Sequence, residues 1–151
     1  MLRDELALAM KEALKNKEQR ALSTIRLILA ALKDRDIGAR GRGNPDGVKD
    51  DEILLMLQSM IKQRNDSISM YEQGGRCELA EREQEEIEVI KRFMPQQLRE
   101  EEVIEIVYAT ISELGASGLK DMGRVMASLK QRFSGRMDFS KASSIVKDKL
   151  A

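Results

Sequence analysis

Four groups of residues in this chain have side chains able to do chemistry or hold a charged partner. Cys77, in "GGRCELAE", stands where a helix is expected to begin, and the dipole there favours a nucleophilic thiolate. The chain has no His, however, so the commonest general base and the commonest transition-metal ligand are both missing. A small packing residue suits the same position, and the inert role is the preferred reading. Glu81, Glu85 and Glu88 offer carboxylate oxygens to a hard cation, but on a 3.6-residue helix they fall away from Leu79, Ile87 and Ile90. A solvated face is expected there, with no metal.

Arg64 interrupts the apolar series Ile53, Leu57, Ile61, Ile68, Tyr71, and Glu83 interrupts Leu79, Ile87, Ile90. A partly buried ion pair of Arg64 with Glu83 or Glu86 is expected, and a catalytic carboxylate is the lesser alternative. The fourth group lies in "SGLKDMGRVMASLKQRF", Ser117 to Phe133, an amphipathic pattern with Gly123 in its middle. Gly costs about 1 kcal/mol against Ala inside a helix, so its presence needs a reason. The helical wheel sets Gly123 beside Ala127, off a core stripe of Met122, Met126, Leu129 and Phe133, and rims both with Lys120, Arg124 and Lys130. Two readings follow: a smooth cationic strip that admits a phosphodiester backbone, or a bare strip that admits a neighbouring helix. Arg132, Arg136, Lys141 and Lys147 extend the cationic surface in the first reading.

These groups must be positioned by helices, because apolar residues recur at spacings of three and four and no stretch alternates cleanly. The pattern predicts helices over about Leu2–Asn16 (inner face Leu6, Met10, Leu14), Glu18–Ile37 (Leu22, Ile25, Leu29, Leu32), Asp50–Gln73 and Arg76–Met94. "GARGRGNPDG" reads as a mobile loop, and Gly74–Gly75 folds the third and fourth helices into a hairpin. Three shorter helices follow Pro95: Glu100–Leu114, Leu119–Phe133 and Ser140–Leu150. The fold expected is all-α: a helical N-terminal domain, 1–95, with a long antiparallel hairpin, and a three-helix C-terminal bundle, 96–151.

Composition agrees with a helical protein: 42% of the residues are apolar, nine are Met and only 3% aromatic. Acidic and basic residues balance at 26 each, but unevenly: residues 1–43 carry ten basic and six acidic groups, and residues 71–102 carry five and ten. A basic face at either end suits a polyanion. A single Cys excludes an internal disulfide, and the charged N-terminus does not read as a signal peptide, so a cytoplasmic protein is expected. The longest apolar run, "LILAAL", is too short for a membrane span. Neither GxxxxGK[ST] nor GxGxxG occurs, and no cofactor is expected.

"IKQRNDSI" (61–68), "GGRCELAEREQEEI" (74–87), "MPQQL" (94–98), "GA" (115–116) and "KDMGRVM" (120–126), followed by Gly135 and Asp138, resemble YqeY-type proteins over nearly the whole chain. Two positions depart from that pattern: Arg99 stands where a Ser cap is usual, and Phe139 follows Asp138 where Gly is common. YqeY proteins are similar to the C-terminal tail of the B subunit of glutamine-dependent tRNA amidotransferase. The resemblance implies association with tRNA or another structured RNA, an amidotransferase or other protein partner, and the class label of carbon–nitrogen ligase with glutamine as amido-N donor. The residues show neither an activated nucleophile nor an ATP site, so a non-catalytic module is expected. An amide-transfer enzyme and a helical protein scaffold are the alternatives. Under the RNA reading, the contact residues are Lys120, Gly123, Arg124, Ala127, Lys130 and Arg136.

Overall fold

The computed structural model describes every residue from Met1 to Ala151. It contains α1 (Leu2–Lys15), α2 (Gln19–Gly41), α3 (Asp50–Gln73), α4 (Cys77–Lys91), α5 (Glu100–Leu114), a 3₁₀ turn (Leu119–Asp121), α6 (Met122–Arg132) and α7 (Phe139–Leu150), with no strand. The protein is all-α. It divides into two compact units, Met1–Met94 and Pro95–Ala151.

In the first unit, residues three and four apart on α1, α2, α3 and α4 meet in one core, with Leu6, Ile28, Ile53, Leu57 and Ile90 at its centre. Asp50, Asp51 and Glu52 occupy the first turn of α3, where carboxylates face the positive end of the helix dipole. Gly74 closes α3, and Gly75, at φ 71°, turns the chain into α4. A smaller cluster gathers Ala13, Ala21, Leu22, Ile25 and Val89.

Three expectations need correction here. Leu14 is 59% exposed, and Ala13, 2% exposed, takes the inner position, because small Ala13 and Ala21 pack together where α1 meets α2. α2 continues to Gly41 instead of ending at Ile37; Ala39 is buried against the core beside Val48, which holds the extra turn despite its glycines. α4 ends at Lys91, short of Met94, where Phe93 and Met94 N–H groups bond to the carbonyls of Ile90 and Lys91 at 3.1 Å each. These shorter i−3 bonds tighten the helix end.

The second unit packs α5, α6 and α7 around Val103, Val107, Val125, Leu129, Met137, Ala142 and Val146. Gly115, left-handed at φ 60°, ends α5. The expected helix Leu119–Phe133 is split: Lys120 belongs to the 3₁₀ turn, and α6 begins at Met122. Its fully buried residues are Val125 and Leu129, while Met122, Met126 and Phe133 are half-buried, so the core stripe is broader than the one predicted. α6 contacts both α5 and α7, which explains the wider apolar arc.

Ahead of α5 the extended segment Pro95–Leu98 lies along the turn after α6. Leu98 N–H donates to the Arg136 carbonyl at 2.8 Å, and Gln97 Nε2 donates to the Gly135 carbonyl at 2.5 Å. Although Arg99 has no acceptor with which to cap α5, Glu102 reaches back to its backbone N–H at 3.3 Å and its Nε at 2.9 Å. Asp138 caps α7 by accepting from the N–H groups of Ser140 at 2.9 Å and Lys141 at 3.4 Å. Phe139 is thus the first residue of α7, and the helix enters one residue earlier than Ser140.

Candidate nucleic-acid interface

Gly123, Ala127 and Lys130 follow one another at spacings of four and three, so helical geometry places them on one side of α6, with Arg124 at its edge. All four are exposed, as is Lys120 in the preceding turn. The face lies away from Val125 and Leu129, which occupy the core side. A Cβ built on Gly123 would find nothing within 4 Å. No backbone of this chain approaches it, so packing of a helix within the C-terminal unit does not explain Gly123.

The cations around that strip are differently engaged. Arg124 Nη2 lies 3.5 Å from Asp121 Oδ1 at an exposed position, a contact of small energetic value. Asp121 in turn accepts the Ser117 N–H at 2.8 Å, so its carboxylate anchors the entry to α6. Lys120 and Lys130 take part in no ion pair. Arg136 is held elsewhere: its Nε donates to the Gln96 carbonyl at 3.2 Å, which ties it to the extended segment. Arg132 pairs with Glu113 at 3.1 Å and lies 5.4 Å from the Phe133 ring centroid. Exposed Lys141 and Lys147 lie on α7. The structure thus gathers Lys120, Gly123, Arg124, Ala127 and Lys130, and sets Arg136 apart.

In the first unit Arg64 Nε donates to Glu86 Oε2 at 2.9 Å, and its Nη1 donates to the Met60 carbonyl at 3.2 Å. These side chains are 13% and 24% exposed, so the pair ties α3 to α4 in a partly dry setting. Glu83 makes no bond to Arg64. Burial pushes its carboxyl above the ordinary Glu range, nearby Glu86 raises it further, and Arg64 opposes both. Cys77 is exposed and free at the hairpin tip. A groove of about 790 Å³ runs beside the start of α2 and along α4, lined by Arg20, Thr24, Arg82, Glu85, Glu88 and Arg92 among others. Arg20 and Glu85 bond to each other there.

A further charged cluster escaped the sequence reading. Asp36, buried within α2, accepts both Arg3 guanidinium nitrogens, at 2.5 and 2.6 Å, and the Val48 N–H at 3.0 Å. Arg3 also donates to the Val48 carbonyl at 2.7 Å. The Arg3 bond holds the Asp36 carboxyl below its ordinary range, the Val48 N–H lowers it further, and burial opposes both. The signal was present: Asp36 follows Leu32 by four and precedes Ala39 by three, a charge inside an apolar stripe like Arg64.

Fold and surface together define a class: a two-unit, all-helical protein whose C-terminal unit presents an open cationic helix face. The chain belongs to the YqeY-like family, whose model, described as Yqey-like protein, matches residues 3–150. It is 35% identical over 89 residues to "Altered inheritance of mitochondria protein 41, mitochondrial" of Lachancea thermotolerans, a match covering 58% of this chain and 44% of that protein. The proteins of the same name from Saccharomyces cerevisiae (strain YJM789) and Candida glabrata are 33% identical over 89 residues and 32% over 85. These matches cover 58% and 56% of this chain and 45% of each relative. The matches span less than half the length of these relatives. Their names overturn the cytoplasmic expectation, since each is called mitochondrial. A lone Cys speaks against an internal disulfide framework and does not distinguish one reducing compartment from another. No helix is long and apolar enough to cross a membrane.

Proposed function

We propose that the C-terminal unit is a non-catalytic module that contacts tRNA or a similar structured RNA through the outer face of α6. The observation that carries this reading is the empty space over Gly123, beside exposed Ala127 and three exposed cations. A bare helix surface lets a phosphodiester backbone come close, and Lys120, Arg124 and Lys130 neutralise it. Aromatics are 3% of the chain, too few for a base-stacking platform, so shape and phosphate are the features read. The resemblance to the amidotransferase B-subunit tail supports the same reading, in which the module works beside amide transfer performed by a partner enzyme. The names of the yeast relatives add a mitochondrial setting.

Gel binding of a tRNA transcript across a salt series tests this. Three or four phosphate contacts on α6 contribute roughly −2 to −4 to the slope of log affinity against log salt. Charge reversal at Lys120, Arg124 and Lys130 removes that contribution. A complex whose affinity and slope ignore the reversal contradicts the reading.

A further inference from the structure

A second basic surface lies on α2, in the first unit. Arg26, Lys33 and Arg40 recur every seven residues, a spacing that keeps all three within about 40 degrees of one another around an α-helix. All are exposed, as are Ala30 and Ile37 between them, whereas Ile25, Ile28, Leu32 and Ala39 are buried on the core side and Asp36 is buried at its edge. The stripe therefore points away from the core.

None of its charges is held in an ion pair, a state shared with most of the chain's cations. Arg3, Arg20, Arg64, Arg76, Arg99, Arg124 and Arg132 each lie against a carboxylate, but Arg26, Lys33 and Arg40 are in no ion pair. Asp36 lies one helical turn from both Lys33 and Arg40; it is buried and held by Arg3, and Arg40 also acts on its carboxylate, while Asp34 is exposed beside the stripe. Arg40 also donates to the Pro45 carbonyl at 3.3 Å. Arg40 suits the negative end of the α2 dipole, but Arg26 and Lys33 stand well inside the helix, where the dipole gives no reason for a cation. Elsewhere in this unit α4 exposes Glu78, Glu81, Glu85 and Glu88, so a chain of zero net charge is locally polarised.

We infer that the outer face of α2 is a second phosphate-contacting surface for structured RNA. This rests on the RNA reading of α6. Fourteen residues of helix separate Arg26 from Arg40, about 21 Å, a length over which one strand of a duplex presents several phosphates. Between the cations stand Ala30, short enough to let a backbone approach, and Ile37; no aromatic residue is available to stack on a base.

The test uses the full chain, a tRNA transcript and three proteins: the unaltered chain, Arg26→Gln/Lys33→Gln/Arg40→Gln, and Lys120→Glu/Arg124→Glu/Lys130→Glu. The α2 variant is expected to keep its helical circular dichroism, to bind about tenfold or more weakly at low salt, and to lose roughly 2 to 3 from the salt slope. Arg26→Gln/Lys33→Gln, which leaves Arg40 beside the Asp36 cluster untouched, guards against misfolding and should lose about 1.5. If the α2 variants bind with unchanged affinity and slope while the α6 variant is weakened, the inference is overturned and the α6 reading stands. Failure of the unaltered chain to bind at low salt overturns both. If the α2 changes leave RNA binding intact but abolish self-association in sedimentation, the stripe meets the acidic face of a second copy and the inference is again overturned.

Discussion

Gly47 and Gly123 are both bare positions beside charged side chains, and they are bare for opposite reasons. Gly47, at φ +80° in the turn before α3, is buried, and a Cβ there would lie 2.3 Å from Asp36 Oδ1 and 3.0 Å from an Arg3 guanidinium nitrogen. Gly123 has ordinary helical geometry and open space in front of it. One glycine is demanded by the fold, which could not close around a larger residue. The other lowers helix stability without serving the packing, so its explanation lies outside the folded unit.

The largest effect should come from opening the closed region. Asp36→Ala leaves the Arg3 guanidinium and the Val48 N–H without their acceptor and should cost about 3 kcal/mol, read as a lower midpoint in urea unfolding. The same carboxylate sets an acid limit. Its folded pKa is depressed, so its contribution is present above the unfolded value of about 3.9 and is lost as pH falls below it. The unaltered chain should therefore lose stability on acidification through that range more steeply than Asp36→Ala. Equal pH profiles would show that Arg3 and Asp36 do not hold the turn.

Next in size is Gly47→Ala, which meets the Asp36 carboxylate and a left-handed backbone together and should destabilise by about 2 kcal/mol. Smallest, and opposite in sign, is Gly123→Ala, expected to stabilise by about 0.5–1 kcal/mol because the methyl enters open solvent. Thermal unfolding of the two variants side by side sharpens the contrast. A loss of stability in both would return Gly123 to a packing role.

Sequence patterns revealed the order of the helices because each stop has a local cause: Gly74 and Gly75 between α3 and α4, Pro95 after α4, and Gly115 at the end of α5. The extra turn of α2 was hidden because Gly38 and Gly41 read as loop residues, and only the burial of Ala39 against distant parts of the chain outweighs their propensity. Arg3 and Asp36 are 33 residues apart, and no local pattern announces that the N-terminus returns to the middle of α2. On α6 the placement was legible, since residue type and helical period put small and basic side chains on one exposed face. What periodicity could not tell was whether a neighbour covers that face, because this depends on how α5, α6 and α7 pack. The half-burial of Met122 and Met126, set by the same packing, was likewise out of reach.

The most direct test of the α6 reading puts a long neutral side chain where the bare surface is. Gly123→Gln should leave the protein at least as stable as before, because Gln is a good helix former and the site is open. The expected result is a stable protein whose affinity for a tRNA transcript at low salt falls about tenfold, roughly 1.4 kcal/mol. Unchanged affinity in that stable protein would contradict the account.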